Sequence, residues 1–123
     1  MSKTLFCIAI VVGALAFGAS SINAQNAGKV YWYGRVDNKL HLVISGTTIE
    51  HRTIEGQTSP DGSYSFTAPL PQTDTKVSTR LIEGRSNKIT VVQQPNAANN
   101  YQAIVEIIDD GSGAREYYIE IFW

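Results

Sequence analysis

The stretch from Tyr31 to Gly46, YWYGRVDNKLHLVISG, has two runs of alternating apolar residues on either side of the turn-forming pair Asp37 and Asn38. Side chains point alternately to the two faces of a strand, and a shift of one residue exchanges the faces. The register between the two runs therefore decides which aromatic rings are exposed to solvent.

Two registers are compatible with a hairpin at this turn. A two-residue loop pairs Val36 with Lys39 and leaves both faces mixed. A three-residue loop that includes Lys39 pairs Val36 with Leu40 and Trp32 with Ile44. The loop position that requires a left-handed backbone would then fall on Lys39. A bulge elsewhere in the arm could give the same parity. We prefer the second register because it collects the apolar side chains on one face: Val30, Trp32, Val36, Leu40, Leu42 and Ile44.

The second register predicts a buried Trp32 and places five residues together on the opposite face, namely Tyr31, Tyr33, Arg35, His41 and Val43. Gly34 lies between two inward residues, and a missing side chain in a strand commonly marks a bulge or the close approach of a bulky neighbour. The exposed tyrosines are the main functional hint in the sequence.

The next hairpin has Gly46 and Thr47 as its turn, so that Ile44 pairs with Ile49 and Leu42 with His51. This places His51 at the core face and His41 outside. Because a zinc or copper site needs several nitrogen or sulfur ligands that converge, these two divergent histidines predict no metal site.

Alternation continues along the chain, with turn clusters every 8 to 12 residues or so, which is typical of a sandwich or barrel. The pattern predicts a single all-β domain, a small antiparallel β-sandwich of about 7–8 strands. We predict strands at Val30–Val36, Leu40–Ser45, Thr48–Ile54, Ser63–Thr67, Lys76–Ile82, Lys88–Gln93, Gln102–Ile108 and Arg115–Phe122.

The last two strands predict a hairpin around Asp109–Gly113, with Val105 opposite Tyr117 and Ala103 opposite Ile119. We interpret this DDGSG segment as a turn, because it lacks the alternating oxygen ligands of a calcium loop. In this pairing three apolar residues point outward beside carboxylates. Because a cluster of apolar residues is rarely left in solvent, this face is expected to be covered by the fold itself or by a partner. The outward residues are Tyr118, Glu120 and Phe122, beside Ile104, Glu106 and Ile108.

Residues 1–24 have the layout of a secretory signal peptide, with Lys3, a 15-residue apolar run and the small residues of SSINA. The run is shorter than the roughly 20 residues of a spanning helix. Residues 25–123 then form the single domain, which contains no cysteine, since the only one is Cys7. No Asn-x-Ser/Thr acceptor occurs either, so we expect a bacterial protein of the periplasm or the extracellular space.

Charge and motifs argue against several function classes. The domain loses Lys3 and keeps all 11 acidic residues, and its arginines are scattered, so we expect no nucleic-acid partner. There is no Gly-x-Ser-x-Gly elbow, cysteine nucleophile or phosphate-binding glycine pattern. We therefore expect no catalytic residues and no cofactor.

The phrase DGSYSFTAPLP, together with the strand spacing, resembles immunoglobulin-like sandwich modules of bacterial exported proteins. The resemblance implies an architecture that hosts many functions and no residue roles. The cysteine pair that brackets a core tryptophan in antibody-type domains is missing.

Two functional hypotheses remain. The first is a non-enzymatic binding module for a protein or glycan partner, because aromatic rings on a rigid sheet can stack on sugars or anchor a protein. Its candidate binding residues are Tyr31, Tyr33, Arg35, Tyr118 and Phe122.

The second hypothesis is an outer-membrane-associated or membrane-assembly β protein. Tyr117, Ile119, Ile121 and Trp123 alternate up to a terminal aromatic residue, which resembles the final strand of bacterial outer-membrane proteins. The predicted strands are shorter than the 9 to 11 residues or so that such strands need. The sequence predicts no oligomeric state, although open sheet edges could pair with a second copy.

Overall fold

The computed structural model describes residues 27–56, 61–85, 88–111 and 113–123. The predicted signal peptide and part of the predicted DDGSG turn lie outside the described residues. Among the residues described, we find no helix with the length and apolar composition needed to cross a bilayer.

Eight strands make up nearly all of the regular structure of the described chain. They are β1 (Lys29–Val36), β2 (Asn38–Ser45), β3 (Thr48–Gly56), β4 (Gly62–Phe66), β5 (Ser78–Glu83), β6 (Lys88–Gln93), β7 (Ala103–Asp109) and β8 (Arg115–Phe122). A short 3₁₀ helix, Ala97–Asn99, lies between β6 and β7. Each predicted strand agrees with an observed one to within about two residues, so the alternation of apolar residues located the strands correctly.

The strands form two antiparallel sheets of four. The first sheet has the order β4-β1-β8-β5 and the second the order β3-β2-β7-β6. Their inner faces contribute to a single core, which is consistent with a sandwich. The buried core side chains are Val30, Trp32, Val36, Leu40, Leu42, Ile44, Ile49, Leu70, Val77, Ala103, Val105, Ile107, Tyr117, Ile119 and Ile121.

The predicted division of the opening stretch into an inner and an outer face is confirmed. Trp32 is 0% exposed, whereas Tyr33 beside it is 43% exposed. A Cβ added to Gly34 would lie 2.5 Å from the Trp32 ring, so the glycine is required by the close approach of the indole. The Gly46–Thr47 hairpin is also confirmed, with Ile44 opposite Ile49 and Leu42 opposite His51.

The predicted pairing of β1 with β2 is wrong. Strand β1 pairs with β4 and β8, and β2 pairs with β3 and β7. The chain crosses from one sheet to the other after Val36, and Asn38 takes the left-handed conformation with φ 70°, which asparagine tolerates better than most residues. The faces are still right because both sheets turn their apolar sides to the same core, and parity does not identify the neighbouring strand.

The same correction applies to the last two strands, which do not form a hairpin. Val105 lies opposite Leu42 and Val91 in the second sheet, whereas Ile119 lies opposite Trp32 in the first. Tyr118 and Ile104 therefore occupy the outer faces of different sheets rather than one shared face.

Two further residues were assigned to the wrong surface. His41 and Val43 lie on the outer face of the second sheet, on the opposite side of the molecule from Tyr31 and Tyr33. Val43 is only 3% exposed there, because it lies on a central strand between Glu50 and Ile104. The predicted five-residue outer face is thus reduced to Tyr31, Tyr33 and Arg35.

Candidate functional site

The outer face of the first sheet, which we call the tyrosine face, is built from cross-strand rows. In one row Ser63 of β4, Tyr33 of β1 and Tyr118 of β8 lie side by side. These rows exist because alternate residues of β1 and β8 must face outward when the others fill the core. The next two rows are Ser65, Tyr31, Glu120 and Arg80, followed by Lys29, Phe122 and Ser78.

Three tyrosine rings occupy the centre of this face. The ring of Tyr118 lies 6.0 Å from that of Tyr31 and 6.2 Å from that of Tyr33, measured between centroids, in tilted and edge-on arrangements. Aromatic pairs favour such geometries, so the rings support one another in a fixed cluster. Part of each ring remains in contact with solvent.

Tyr33 is held at its hydroxyl end by β8. Its hydroxyl donates a 2.6 Å hydrogen bond to Oε1 of Glu116. This bond to a carboxylate, with smaller contributions from burial and from the negative charges of Glu116 and Glu83, raises the pKa of Tyr33 above its ordinary value. The hydroxyl therefore remains protonated, and the ring is fixed across the sheet.

An open groove of about 440 Å³ runs over the tyrosine cluster toward the edge of the sheet. Its walls combine aromatic rings with small hydroxyl groups on the edge strand. The lining residues are Tyr31, Tyr33, Ser63, Tyr64, Ser65 and Tyr118. Apolar walls with a few placed polar groups are the usual composition of a ligand site in a protein.

One end of the tyrosine face carries a cluster of charges around Glu120. Its carboxylate accepts from Nε of Arg80 at 2.8 Å and from Nζ of Lys29 at 3.1 Å. Sequence analysis placed Glu120 on an outward face, where it does lie, but it is only 6% exposed. The long side chains from the neighbouring strands cover it, and burial of a carboxylate requires such partners.

These contacts favour the charged forms of Glu120 and Lys29. The hydrogen bond from Arg80, and then that from Lys29, lowers the pKa of Glu120, although burial opposes the change. The hydrogen bond to Glu120 is the largest cause of the raised pKa of Lys29. The ammonium of Lys29 also lies 5.8 Å from the centroid of the Tyr31 ring, which links the charged end to the tyrosines.

The remaining predicted residues lie at the two ends of the same face. Arg35 is exposed and lies opposite Glu116, one row beyond Tyr33. Phe122 is 36% exposed and lines a second open groove of about 410 Å³ with Lys29, Thr67 and Glu120. All five predicted binding residues therefore share one outer face, and three of them are in contact.

The outer face of the second sheet has a different chemistry. Two of its apolar residues, Val43 and Ile104, lie opposite each other on central strands. Beside them Nε2 of His41 lies 3.0 Å from Oε2 of Glu106, and both side chains are largely covered. No aromatic side chain of β2, β3, β6 or β7 is available there, since these four strands contain no phenylalanine, tyrosine or tryptophan.

The two histidines have separate roles. Nε2 of His51 accepts a 2.7 Å hydrogen bond from the indole of Trp32, while His41 faces outward toward Glu106. Burial lowers the pKa of His51, with a smaller opposing effect from Asp61. Within residues 27–56, 61–85, 88–111 and 113–123 we find no group of three or more histidine, cysteine, aspartate or glutamate side chains placed to hold a metal ion.

A buried polar cluster that the sequence did not reveal joins the two sheets. Asp109, at the end of β7, is 0% exposed and accepts from the hydroxyl of Tyr117 at 2.7 Å and from the backbone N–H of Gly111 at 2.9 Å. The guanidinium of Arg85 lies 3.2 Å from the same carboxylate. Gly84, with φ 139°, leaves room for the Tyr117 ring, since a Cβ there would lie 2.8 Å from it.

Sequence reasoning missed the polar residues that surround the tyrosines. The alternation of Ser63 and Ser65 with Tyr64 and Phe66 signals a hydroxyl-bearing face, but it does not show which strand lies beside it. Comparisons of the chain with protein-family models, with curated proteins and with solved structures each find no match.

Proposed function

We propose that the chain is an exported, non-enzymatic binding module that recognises a glycan or protein partner through the tyrosine face. The observation that carries the proposal is the cluster in which the Tyr118 ring packs beside those of Tyr31 and Tyr33, with all three lining an open groove. Fixed aromatic rings contribute a large contact area with little loss of side-chain entropy on binding.

The composition of the face supports a binding role over a catalytic one. Two of its carboxylates are engaged: Glu116 accepts from Tyr33, and Glu120 is neutralised by Arg80 and Lys29. General acid–base or nucleophilic catalysis needs a group whose protonation state or reactivity is tuned to the reaction. The pKa of the Tyr33 hydroxyl is raised, which moves it further from neutral pH rather than closer to it.

Export, bacterial origin and an immunoglobulin-like architecture are parts of the same proposal. They are supported by the layout of residues 1–24, by the lack of cysteine in residues 25–123 and by the two four-stranded sheets around one core. A domain of roughly 100 residues can be stable without disulfides when its core is continuous.

Binding can be tested with residues 25–123 on a glycan array and in pull-down experiments from periplasmic extract. We expect specific capture of a glycan or protein by the wild-type domain and its loss in Tyr31→Ala/Tyr33→Ala. The matched control is Ile54→Ala/Val92→Ala, which removes exposed apolar side chains from the second sheet and should not change capture. Capture that survives in the tyrosine double variant would overturn the proposed site.

Location is tested separately by fractionating cells that express the full chain. We expect cleavage near Gln25, visible as the mass of the mature domain, and recovery in the periplasmic or extracellular fraction. Retention of an uncleaved chain in washed membranes would contradict the export proposal and would favour the membrane-associated alternative.

A further inference from the structure

We infer that the ligand of the tyrosine face is an acidic glycan, whose sugar rings lie on the tyrosines while a sugar carboxylate is bound by Lys29 and Arg80. The inference rests on the proposed function, because it assigns a ligand class to the same face. It goes further because it brings in two cations that the aromatic cluster alone does not require.

The two cations are fixed in place but not fully used. Arg80 contacts Glu120 through Nε, and its side chain is 61% exposed. Lys29 contacts the other carboxylate oxygen and is 41% exposed. A guanidinium has five N–H donors and an ammonium has three, so both keep donors for an incoming carboxylate.

The local charge favours an anion at this end of the face. Two positive side chains share the single negative charge of Glu120, which leaves one net positive charge beside the Tyr31 ring. Glu120 is covered, whereas both cations reach solvent. An approaching ligand therefore meets the cations, and a carboxylate could receive charge-assisted hydrogen bonds from both.

The arrangement of the rows matches a ring that carries both hydroxyls and a carboxylate. In the row of Tyr31, Ser65 lies on one side, and Glu120 with Arg80 lies on the other. A sugar ring above Tyr31 would place its C–H groups on the negative face of the aromatic ring. Its hydroxyls would reach the serines, and an acidic substituent on the opposite side would reach Arg80 and Lys29.

The shape of the groove favours a glycan over an acidic peptide. Protein partners gain most of their affinity from anchor side chains that enter well-packed, desolvated pockets. The groove over Tyr31, Tyr33 and Tyr118 is open and has hydroxyl groups along its rim. Such a surface suits a ring that lies flat and carries many hydroxyls.

The test measures binding of residues 25–123 to carboxylate-bearing glycans from several sources, including oligogalacturonate, alginate fragments, hyaluronan fragments and sialylated oligosaccharides. Each is compared with its fully methyl-esterified form, which keeps the rings and removes the charge. Oligoglutamate serves as a peptide of matched charge. Isothermal titration at low and high salt gives affinities without any mutation, and a charge contact should weaken as salt screens it.

We expect at least one acidic glycan to bind, with a loss of about tenfold or more on esterification or in Arg80→Gln/Lys29→Gln, which corresponds to roughly 1.4 kcal/mol. Tyr118→Ala should weaken the binding of both the acidic and the esterified form of that glycan. Arg80→Lys provides a second variant that keeps a positive charge beside Glu120, and it should retain folding and part of the affinity. Thermal unfolding of each variant confirms that it is folded.

Other outcomes separate this inference from the proposed function. Equal binding of esterified and acidic forms, with loss in Tyr118→Ala, overturns the acidic-glycan inference and leaves the tyrosine site standing. Oligoglutamate binding as tight as the best glycan also overturns it, in favour of an acidic peptide. Absence of binding to every glycan overturns it, while the pull-down experiment decides the proposed function independently.

Discussion

Two sets of aromatic residues alternate along the same two strands, and they differ in how their polar groups are used. Inside, Trp32 donates to His51 and Tyr117 donates to Asp109, and both side chains are 0% exposed. Outside, Tyr31 and Tyr118 present their rings to a groove. The inner aromatics fill the core and pair their polar atoms there, whereas the outer rings keep contact with solvent, which is why we propose them as the binding site.

The strongest test of this comparison is the pair Trp32→Ala and Tyr33→Ala. Trp32→Ala should lower the free energy of unfolding by about 3 to 5 kcal/mol, a typical loss for a large buried aromatic, and a large part of the stability of a small domain. Tyr33→Ala should cost markedly less, because much of its ring is already in solvent. Urea denaturation compares the two, and a larger loss for Tyr33→Ala would mean that the inner and outer roles are reversed.

The next largest effect concerns the two neighbouring tyrosines of β8. Tyr117→Phe removes the hydroxyl that donates to buried Asp109, and loss of a partner by a buried group costs about 1 to 3 kcal/mol. The matched change Tyr118→Phe, on the outer face, should stay within about 0.5 kcal/mol of wild type. Equal losses in the two variants would contradict the structural role assigned to the buried cluster.

A smaller effect should appear as a pH dependence of stability that originates at His51, beside the core. The indole of Trp32 can only donate, so Nε2 of His51 must stay unprotonated, and burial lowers the pKa of His51 in the fold. As pH falls below about 6.5, the unfolded chain takes up this proton before the folded chain does, and the free energy of unfolding decreases. The decrease ends once pH is below the folded pKa.

The measurement is a series of urea titrations between neutral and acidic pH, repeated with His51→Gln. We expect the variant to be less stable at neutral pH and to lose less stability than wild type as the pH falls. An unchanged pH profile in His51→Gln would show that another group is responsible.

The smallest effect is expected for Tyr33→Phe, which breaks an exposed hydrogen bond to Glu116. Water replaces the lost partner, so the free energy of unfolding should change by about 0.5 kcal/mol or less. A loss as large as that of Tyr117→Phe would remove the distinction between the two sets of aromatics. In the same variant the phenylalanine ring at position 33 should move more freely, which is visible as averaged ring signals in NMR spectra.

The sequence was sufficient to assign faces but not neighbours. Alternation is a local property, so the burial of Trp32 and the exposure of Tyr33 could be derived from the opening stretch alone. Strand pairing depends on the whole chain, and two adjacent strands with correct parity can belong to different sheets. This is why the hairpin predicted between β7 and β8 was wrong although the inner residues of both strands were right.

The candidate site shows the same division. The outward position of Tyr31, Tyr33 and Tyr118 was predictable, and so was that of Phe122. The covering of Glu120 was not, because its main partner Arg80 comes from a strand 40 positions away in sequence. Asp109 was assigned to a turn because Asp-Gly segments usually are turns, whereas its burial depends on Tyr117 and on the approach of Arg85.

The pairing of β1 with β8 also determines when the domain can fold. Tyr33 and its partner Glu116 are 83 positions apart, and β8 is the strand that connects β1 to β5. Non-local strand pairs must overcome the entropy of closing the intervening chain, and all-β domains of this kind fold over roughly milliseconds to seconds. A nascent chain cannot complete the first sheet until β8 has left the ribosome, so the tyrosine face is assembled only after β8 has been synthesised.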